Sequence, residues 1–205
     1  MTATYRLQLR GPGDSPAEAF TFADATARVP YLARLGVTHL YLSPIMTAPK
    51  ESTHGYDVTD PTAVNPELGG MDGFKKLAEA AQEAGLKILV DIVPNHVGVD
   101  TPKLNPWWWD VLAKGKSSEY VDYFDIDFSP YNGAEGRIGL PVLGSAEDTT
   151  KLEIDGDELV YFEHRFPIAE GTNYGTPQEV HDRQHYKLMF WRDGVISYRR
   201  FFSIN

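Results

Sequence analysis

Along Ala3–Leu9 (ATYRLQL) polar and apolar residues alternate, the period of a half-buried strand, and Gly11-Pro12-Gly13 stops the run. The period then lengthens. Phe22, Ala25, Val29, Leu32 and Ala33 fall on one helical stripe over Phe22–Leu35. Pro30 inside that stripe predicts a kink or two shorter helices, and Gly36 stands in the C-cap position. His39–Leu42 is a short apolar strand ended by Ser43-Pro44. Residues 45–70 carry no period, which predicts a long loop of the kind that usually serves function in a compact protein. A second stripe, Phe74, Leu77, Ala78 and Ala81, predicts a helix from Asp72, read as its N-cap, to Ala84, with Gly85 closing it. Lys87–His96 (KILVDIVPNH) follows. Five of its first seven residues are apolar, Pro94 ends the run, and Asp91, Asn95 and His96 arrive at its C-terminal end. It predicts a buried parallel strand that delivers polar chemistry to a sheet edge. Strand, helix, strand, loop, helix, strand is the order of right-handed βαβ crossovers in a parallel sheet.

After His96 the pattern changes. Residues 100–160 are rich in aromatic residues, Gly, Pro and Asp, with short strand-like pieces at Gly136–Val142 and Glu158–Glu163 between turn signals at Pro130, Asn132-Gly133 and Asp155-Gly156. They predict an irregular β-rich subdomain. Glu179–Trp191 reads as a helix, and Val195–Phe202 as a strand or an extended return to the main body. A complete (β/α)8 barrel needs about 250 residues, so three strands and an insertion in this length mean either a small open sheet or the front part of a larger protein. The second is the expectation.

Composition narrows the function. With 205 residues, 42% hydrophobic and 12% aromatic, the chain has ample material for a core. A net charge of −10 with no basic patch argues against nucleic acid or an anionic membrane as partner, and says nothing against uncharged ligands such as sugars. No apolar run approaches the roughly 20 residues of a membrane span, and Met1–Arg10 lacks the layout of a secretion signal, so the expected location is the cytoplasm. The absence of cysteine removes disulfides and thiolate metal sites.

Three constellations carry candidate chemistry. Asp91-x-x-x-Asn95-His96 places a hydrogen-bonding histidine and two polar supports at a strand end, although a turn cap and a packed histidine would look the same. His54-Gly55-Tyr56-Asp57 offers a ring face for a sugar, an aspartate and a histidine for vicinal hydroxyls, and a glycine for close backbone approach. Its loop follows the second strand and the trio follows the third, so adjacent parallel strands would bring the two together. Trp107-Trp108-Trp109 cannot all face one core; a stacking platform, with Trp108 as the substrate contact, and simple packing of the subdomain are equal readings. Arg199 and Arg200 offer a partner for an active-site carboxylate, or a solvated pair. His181 and His185 stand four apart with no glutamate base and no third ligand, and no phosphate loop, nucleophile elbow or dinucleotide fingerprint occurs, so neither metal nor cofactor is expected.

Taken together, these residues resemble the front of an α-amylase superfamily enzyme, where a strand ending Asp-x-x-x-Asn-His precedes an inserted subdomain. The closer resemblance, over essentially the whole chain, is to the maltooligosyltrehalose synthase family. It is carried by TYRLQL at 4–9, STHGYDVTDPTAVNPELGG at 52–70, DIVPNHVG at 91–98, NPWWWDVL at 105–112, YFEHRFPIAEGT at 161–172, QHYKL at 184–188 and YRRFF at 198–202. The resemblance implies the first three βα units of a (β/α)8 TIM barrel over 1–99, an inserted subdomain over 100–194 and a return segment over 195–205. It implies intramolecular transglucosylation, in which the reducing-end α-1,4 bond of a maltooligosaccharide becomes an α,α-1,1 bond. Tyr56 would stack under the sugar, His96 would bond its hydroxyls, and Asp91 and Asn95 would hold the scaffold, with His54, Asp57, Trp108 and Arg199 as further contacts. The nucleophile and the acid/base are expected after Asn205, and the rest of the enzyme as a separate chain is an expected partner. A hydrolytic amylase and a non-catalytic glucan-binding fragment stand as alternatives.

Overall fold

The structure, a computed structural model, describes residues 3–11 and 19–192 and the backbone of residues 198–199. Pro12-Gly13, the Arg199 and Arg200 side chains and most of the return segment expected over 195–205 lie outside the described residues. The chain divides into two compact units, Met1–Val97 and Gly98–Asn205.

In the first unit, β1 (Thr4–Leu7), β2 (His39–Leu42) and β5 (Lys87–Val90) form a parallel sheet in the order β1-β2-β5. Its register runs Arg6↔Tyr41↔Leu89 and Leu7↔Leu42↔Val90. Successive side chains of a strand point to opposite faces. One face, with Leu7, Leu40 and Leu42, packs against the apolar stripes of α1 (Phe22–Arg34) and α2 (Gly70–Glu83), where Phe22, Ala25, Val29, Leu32, Leu77 and Ala81 are all buried. Each fully buried leucine or phenylalanine there contributes roughly 1.5–3 kcal/mol. The opposite face carries Arg6, Tyr41 and Leu89, and Leu89 is 40% exposed.

Several expectations are corrected here. The strand of KILVDIVPNH stops at Val90, and its burial alternates between exposed and half-buried, because β5 is the edge of the three-stranded sheet with a neighbour on one side only. Helix α1 is neither split nor ended by Pro30; a capping box between Thr21 and Asp24 starts it, and the buried stripe holds it to the sheet. Helix α2 begins two residues before Asp72, with Gly69 at φ +106° as its cap, and Asp72 lies in its first turn. The expected loop over 45–70 contains a small hairpin, β3 (Met46–Thr47) with β4 (Asp60–Val64).

In the second unit a helix stands where none was expected. Asn105 caps α3 (Pro106–Lys114) by accepting from the Trp108 N–H, with Pro106 in the first turn where its missing N–H costs nothing. The strands are β6 (Asp125–Ile126), β7 (Ile138–Leu143), β8 (Glu153–Asp155), β9 (Glu158–Tyr161) and β10 (His164–Pro167), the last three forming an antiparallel meander. The stretch read as one helix, Glu179–Trp191, is instead the end of a short helix, α4 (Pro177–Asp182), and then a strand, β11 (Tyr186–Phe190), parallel to β7. Tyr186 and Leu188 are buried at a spacing of two, the strand period that outweighs the helical one. The backbone of β12 (Tyr198–Arg199) pairs with β6.

Candidate functional site

The non-packed face of the first sheet assembles one cluster. Register sets Arg6 of β1 beside Tyr41 of β2, and the guanidinium lies over the Tyr41 ring, 4.7 Å from its centroid. Asp91, one residue past β5 and two past Leu89, points to the same face, its backbone N–H still bonded to the Leu42 carbonyl. Its Oδ2 accepts three bonds, from the Tyr56 hydroxyl at 2.6 Å, from the Tyr41 hydroxyl at 3.1 Å and from Arg6 Nη1 at 3.2 Å. Arg6 Nη2 also donates to the Tyr56 oxygen at 2.8 Å. The Tyr56 hydroxyl bond, opposed by desolvation and helped by Tyr41 and Arg6, holds the Asp91 carboxyl below its ordinary range. The same bond pushes the Tyr56 phenol up. Asp91 is therefore a fixed anion, and the Tyr56 ring, half-buried, is tied at its hydroxyl end.

The loop bearing Tyr56 is built rather than slack. Gly55 has φ +75°, and a Cβ there would come within 3.0 Å of the Pro44 carbonyl, so only glycine fits the bend. Ser52 Oγ accepts from the Gly55 N–H and donates to Asp57 Oδ1 at 2.5 Å, which makes Asp57 a brace of the loop. His54 Nδ1 accepts from the Tyr56 N–H at 3.0 Å, and its exposed ring stands 5.9 Å from that of Tyr56. Three residues past β1, buried Arg10 donates Nη1 to the carbonyls of Pro49 and Ser52. Asn95 and His96 pair with each other, Oδ1 to Nδ1 at 3.0 Å, and among the described residues neither bonds to the Asp91 cluster. An amide oxygen only accepts, so the Nδ1 carries the proton in that bond, and Nε2 is the ring's acceptor when neutral.

The tryptophan run divides by helical geometry, each residue turned about 100° from the last. Trp108 is fully buried against Phe124, ring centroids 4.8 Å apart, which removes it as a surface contact for a ligand. Half-buried Trp107 stacks on Tyr120 and meets Tyr123 edge-on. His181, buried, accepts the Leu188 N–H at Nε2, while burial pushes its imidazolium down. Sequence reasoning missed Arg6, Tyr41 and Arg10. Only the polar slots of the ATYRLQL alternation hinted at the first.

The "Alpha amylase, catalytic domain" family model matches residues 21–170. The chain belongs to the α-amylase catalytic-domain family. Its α/β units are thus part of a TIM-barrel-superfamily domain. The chain is 55% identical, over 98% of its length and 26% of the relative's, to a "Putative maltooligosyl trehalose synthase" of Mycobacterium tuberculosis. It superposes on the maltooligosyltrehalose synthase of Arthrobacter ramosus with a TM-score of 0.88 at 55% identity, covering all of this chain and 26% of that one. A hypothetical maltooligosyl trehalose synthase of Sulfolobus tokodaii gives 0.79 at 40%, over 98% of this chain and 26% of the other. The α-amylase-family chain described here spans about a quarter of the length of these relatives.

Proposed function

We propose that this chain supplies one wall of the sugar site of a maltooligosyltrehalose synthase, an intramolecular glucosyl transferase acting at the reducing end of maltooligosaccharides. The observation that carries the reading is the Tyr56–Asp91–Arg6 cluster, an aromatic face and a fixed anion at a strand end, in a chain 55% identical to proteins of that name. On this reading Tyr56 stacks on a pyranose ring and His96 bonds hydroxyls with Asn95 behind it. Asp57 and His54 shape the loop, and Asp91 holds Tyr56 without attacking. Three donors on its Oδ2 suit Asp91 to the role of a fixed support for Tyr56. The reaction itself is retaining glycoside chemistry: one carboxylate attacks the anomeric carbon, a carboxylic acid protonates the leaving oxygen, and the released glucose intercepts the glycosyl intermediate through its anomeric hydroxyl. We assign those two acids to the three-quarters of the relatives' length that this chain does not span. Residues 100–194 are read as the subdomain inserted after the third barrel strand, and 195–205 as the return segment.

Maltopentaose is the test substrate. The 205-residue chain is expected to bind it and to leave its reducing end intact, whereas the protein carrying this chain at the relatives' full length is expected to remove the reducing end without releasing glucose. Free glucose with short maltooligosaccharides would establish a hydrolase instead. Conversion by the 205 residues alone would overturn the assignment of the acids.

A further inference from the structure

We propose that Arg6 is the positioning residue of the sugar site, its guanidinium bridging the Tyr56 phenol oxygen and Asp91 Oδ2 so that the Tyr56 ring is presented at one fixed angle. The proposal rests on the reading of Tyr56 as a sugar platform. Tyr56 stands in a segment without regular structure, and its hydroxyl holds two bonds, one donated to Asp91 and one accepted from Arg6. With one bond a phenol can swing about the carboxylate; with two, to Arg6 on β1 and to Asp91 just past β5, its direction is set. Arg6 is itself held from two sides. Its Nη1 is on Asp91 Oδ2 at 3.2 Å and its plane lies over Tyr41, the residue that register places next to it. The flat fork of a guanidinium can serve the phenol, the carboxylate and the ring beneath at once, which the point charge of a lysine cannot. The side chain of Arg6 meets Tyr56, Asp91, Gln8 and the Tyr41 ring. It acts on the site through Tyr56.

The test uses the 205-residue chain with its tyrosines labelled at Cζ, titrated by NMR, the Tyr56 resonance assigned through Tyr56→Phe. In the native chain Tyr56 titrates above the ordinary tyrosine value of about 10 because Asp91 accepts its proton. If Arg6 fixes the ring, Arg6→Gln frees the phenol from Asp91 and its titration falls back to about 10. Affinity for maltopentaose then drops about tenfold, the worth of one aromatic contact. Arg6→Lys fails to restore either. If Asp91 alone holds the ring, losing the positive charge while the phenol stays on the carboxylate drives the titration further up in Arg6→Gln, and the proposal is overturned. The two failures are separable: maltopentaose leaving the native Tyr56 resonance unmoved removes the sugar platform, while an upward titration removes Arg6 and leaves the platform standing. Tyr41, which lies under the guanidinium, will shift in either variant, and unchanged resonances for tyrosines outside this cluster show that the variants are folded.

Discussion

Among the described residues, tyrosine hydroxyls meet two aspartates, Asp148 and Asp91, to opposite effect. Within residues 98–205, Tyr161 and Asp148 are 4% and 5% exposed and bonded at 2.5 Å. Both oxygens of the carboxylate and the phenol oxygen find partners away from water. The phenol accepts the Gly144 N–H, Asp148 Oδ1 receives Ser145 Oγ and Lys151 Nζ, and a Cβ on Gly144 would press on both partners. Within residues 3–97, Tyr56 and Asp91 bond at 2.6 Å, but both are half-buried, Oδ2 takes all three donors, and Oδ1 has no partner among the described residues. Lys151, Tyr161 and Ser145 hold the Asp148 carboxyl well below its ordinary range, and Tyr56 does the same for Asp91. Bond length and a lowered pKa therefore do not separate a bolt from a site. The separation lies in free lone pairs and an open ring face.

The comparison breaks first if a buried aromatic proves dispensable. All four tryptophans lie at 107, 108, 109 and 191, so tryptophan fluorescence during urea unfolding reports on residues 98–205 alone. Trp108→Ala is expected to cost about 3–5 kcal/mol, and half-buried Trp107→Ala distinctly less; equal losses would mean that burial does not rank these rings. Tyr161→Phe comes next. It strips the Gly144 N–H of its acceptor and Asp148 of a donor inside the unit, and about 1–3 kcal/mol should be lost by the same measurement.

The sequence disclosed what is local and periodic, and concealed what depends on neighbours. The stripes of Phe22–Leu32 and Phe74–Ala81 name the faces that α1 and α2 bury, and the two loops after the second and third strands do meet, Tyr56 on Asp91. The cap at Gly69 was hidden because Asp72 carries the stronger side-chain signal. Two-residue strands such as Met46–Thr47 have no period to read. Three consecutive tryptophans mask the Asn-Pro start of α3, and Val180 with His181 lend a helical look to a segment whose second half, Tyr186 and Leu188, keeps strand spacing. Arg6 and Tyr41 stayed invisible for another reason: 35 positions apart, they become partners only through strand register.

Acid should separate the two units' chemistry. His181 must be unprotonated at Nε2 to accept the Leu188 N–H, and burial, with Arg137 adding and Asp182 opposing, keeps its folded pKa below the ordinary 6.5. Below about pH 6.5 the unfolded chain binds a proton that the folded chain refuses. Stability of residues 98–205 should therefore fall with pH from that point, by up to about 1.4 kcal/mol per pH unit, until the folded pKa is reached. The depressed carboxyls of Asp148 and Asp91 contribute stability above about pH 3.9 that is lost only on further acidification through their folded pKa values. Urea midpoints by tryptophan fluorescence at pH 7.5, 6 and 5 should thus decline, and His181→Gln, whose amide oxygen can still accept the Leu188 N–H, should flatten the decline.

The smallest expected stability change is the sharpest contrast with Tyr161. Tyr56→Phe keeps the ring, removes one of the three donors on Asp91 and breaks the Arg6 bridge, all at a half-buried place where water can replace the lost bonds. Its stability should stay within about 0.5 kcal/mol of the native chain, measured by tyrosine-excited unfolding in urea, against the much larger loss for Tyr161→Phe. Maltopentaose affinity should nevertheless weaken, because an untethered ring must be ordered when the sugar binds, and Tyr56→Ala, which removes the face as well, should weaken it further. A stability loss for Tyr56→Phe as large as that for Tyr161→Phe would make the first pair a bolt like the second and withdraw the site from Asp91.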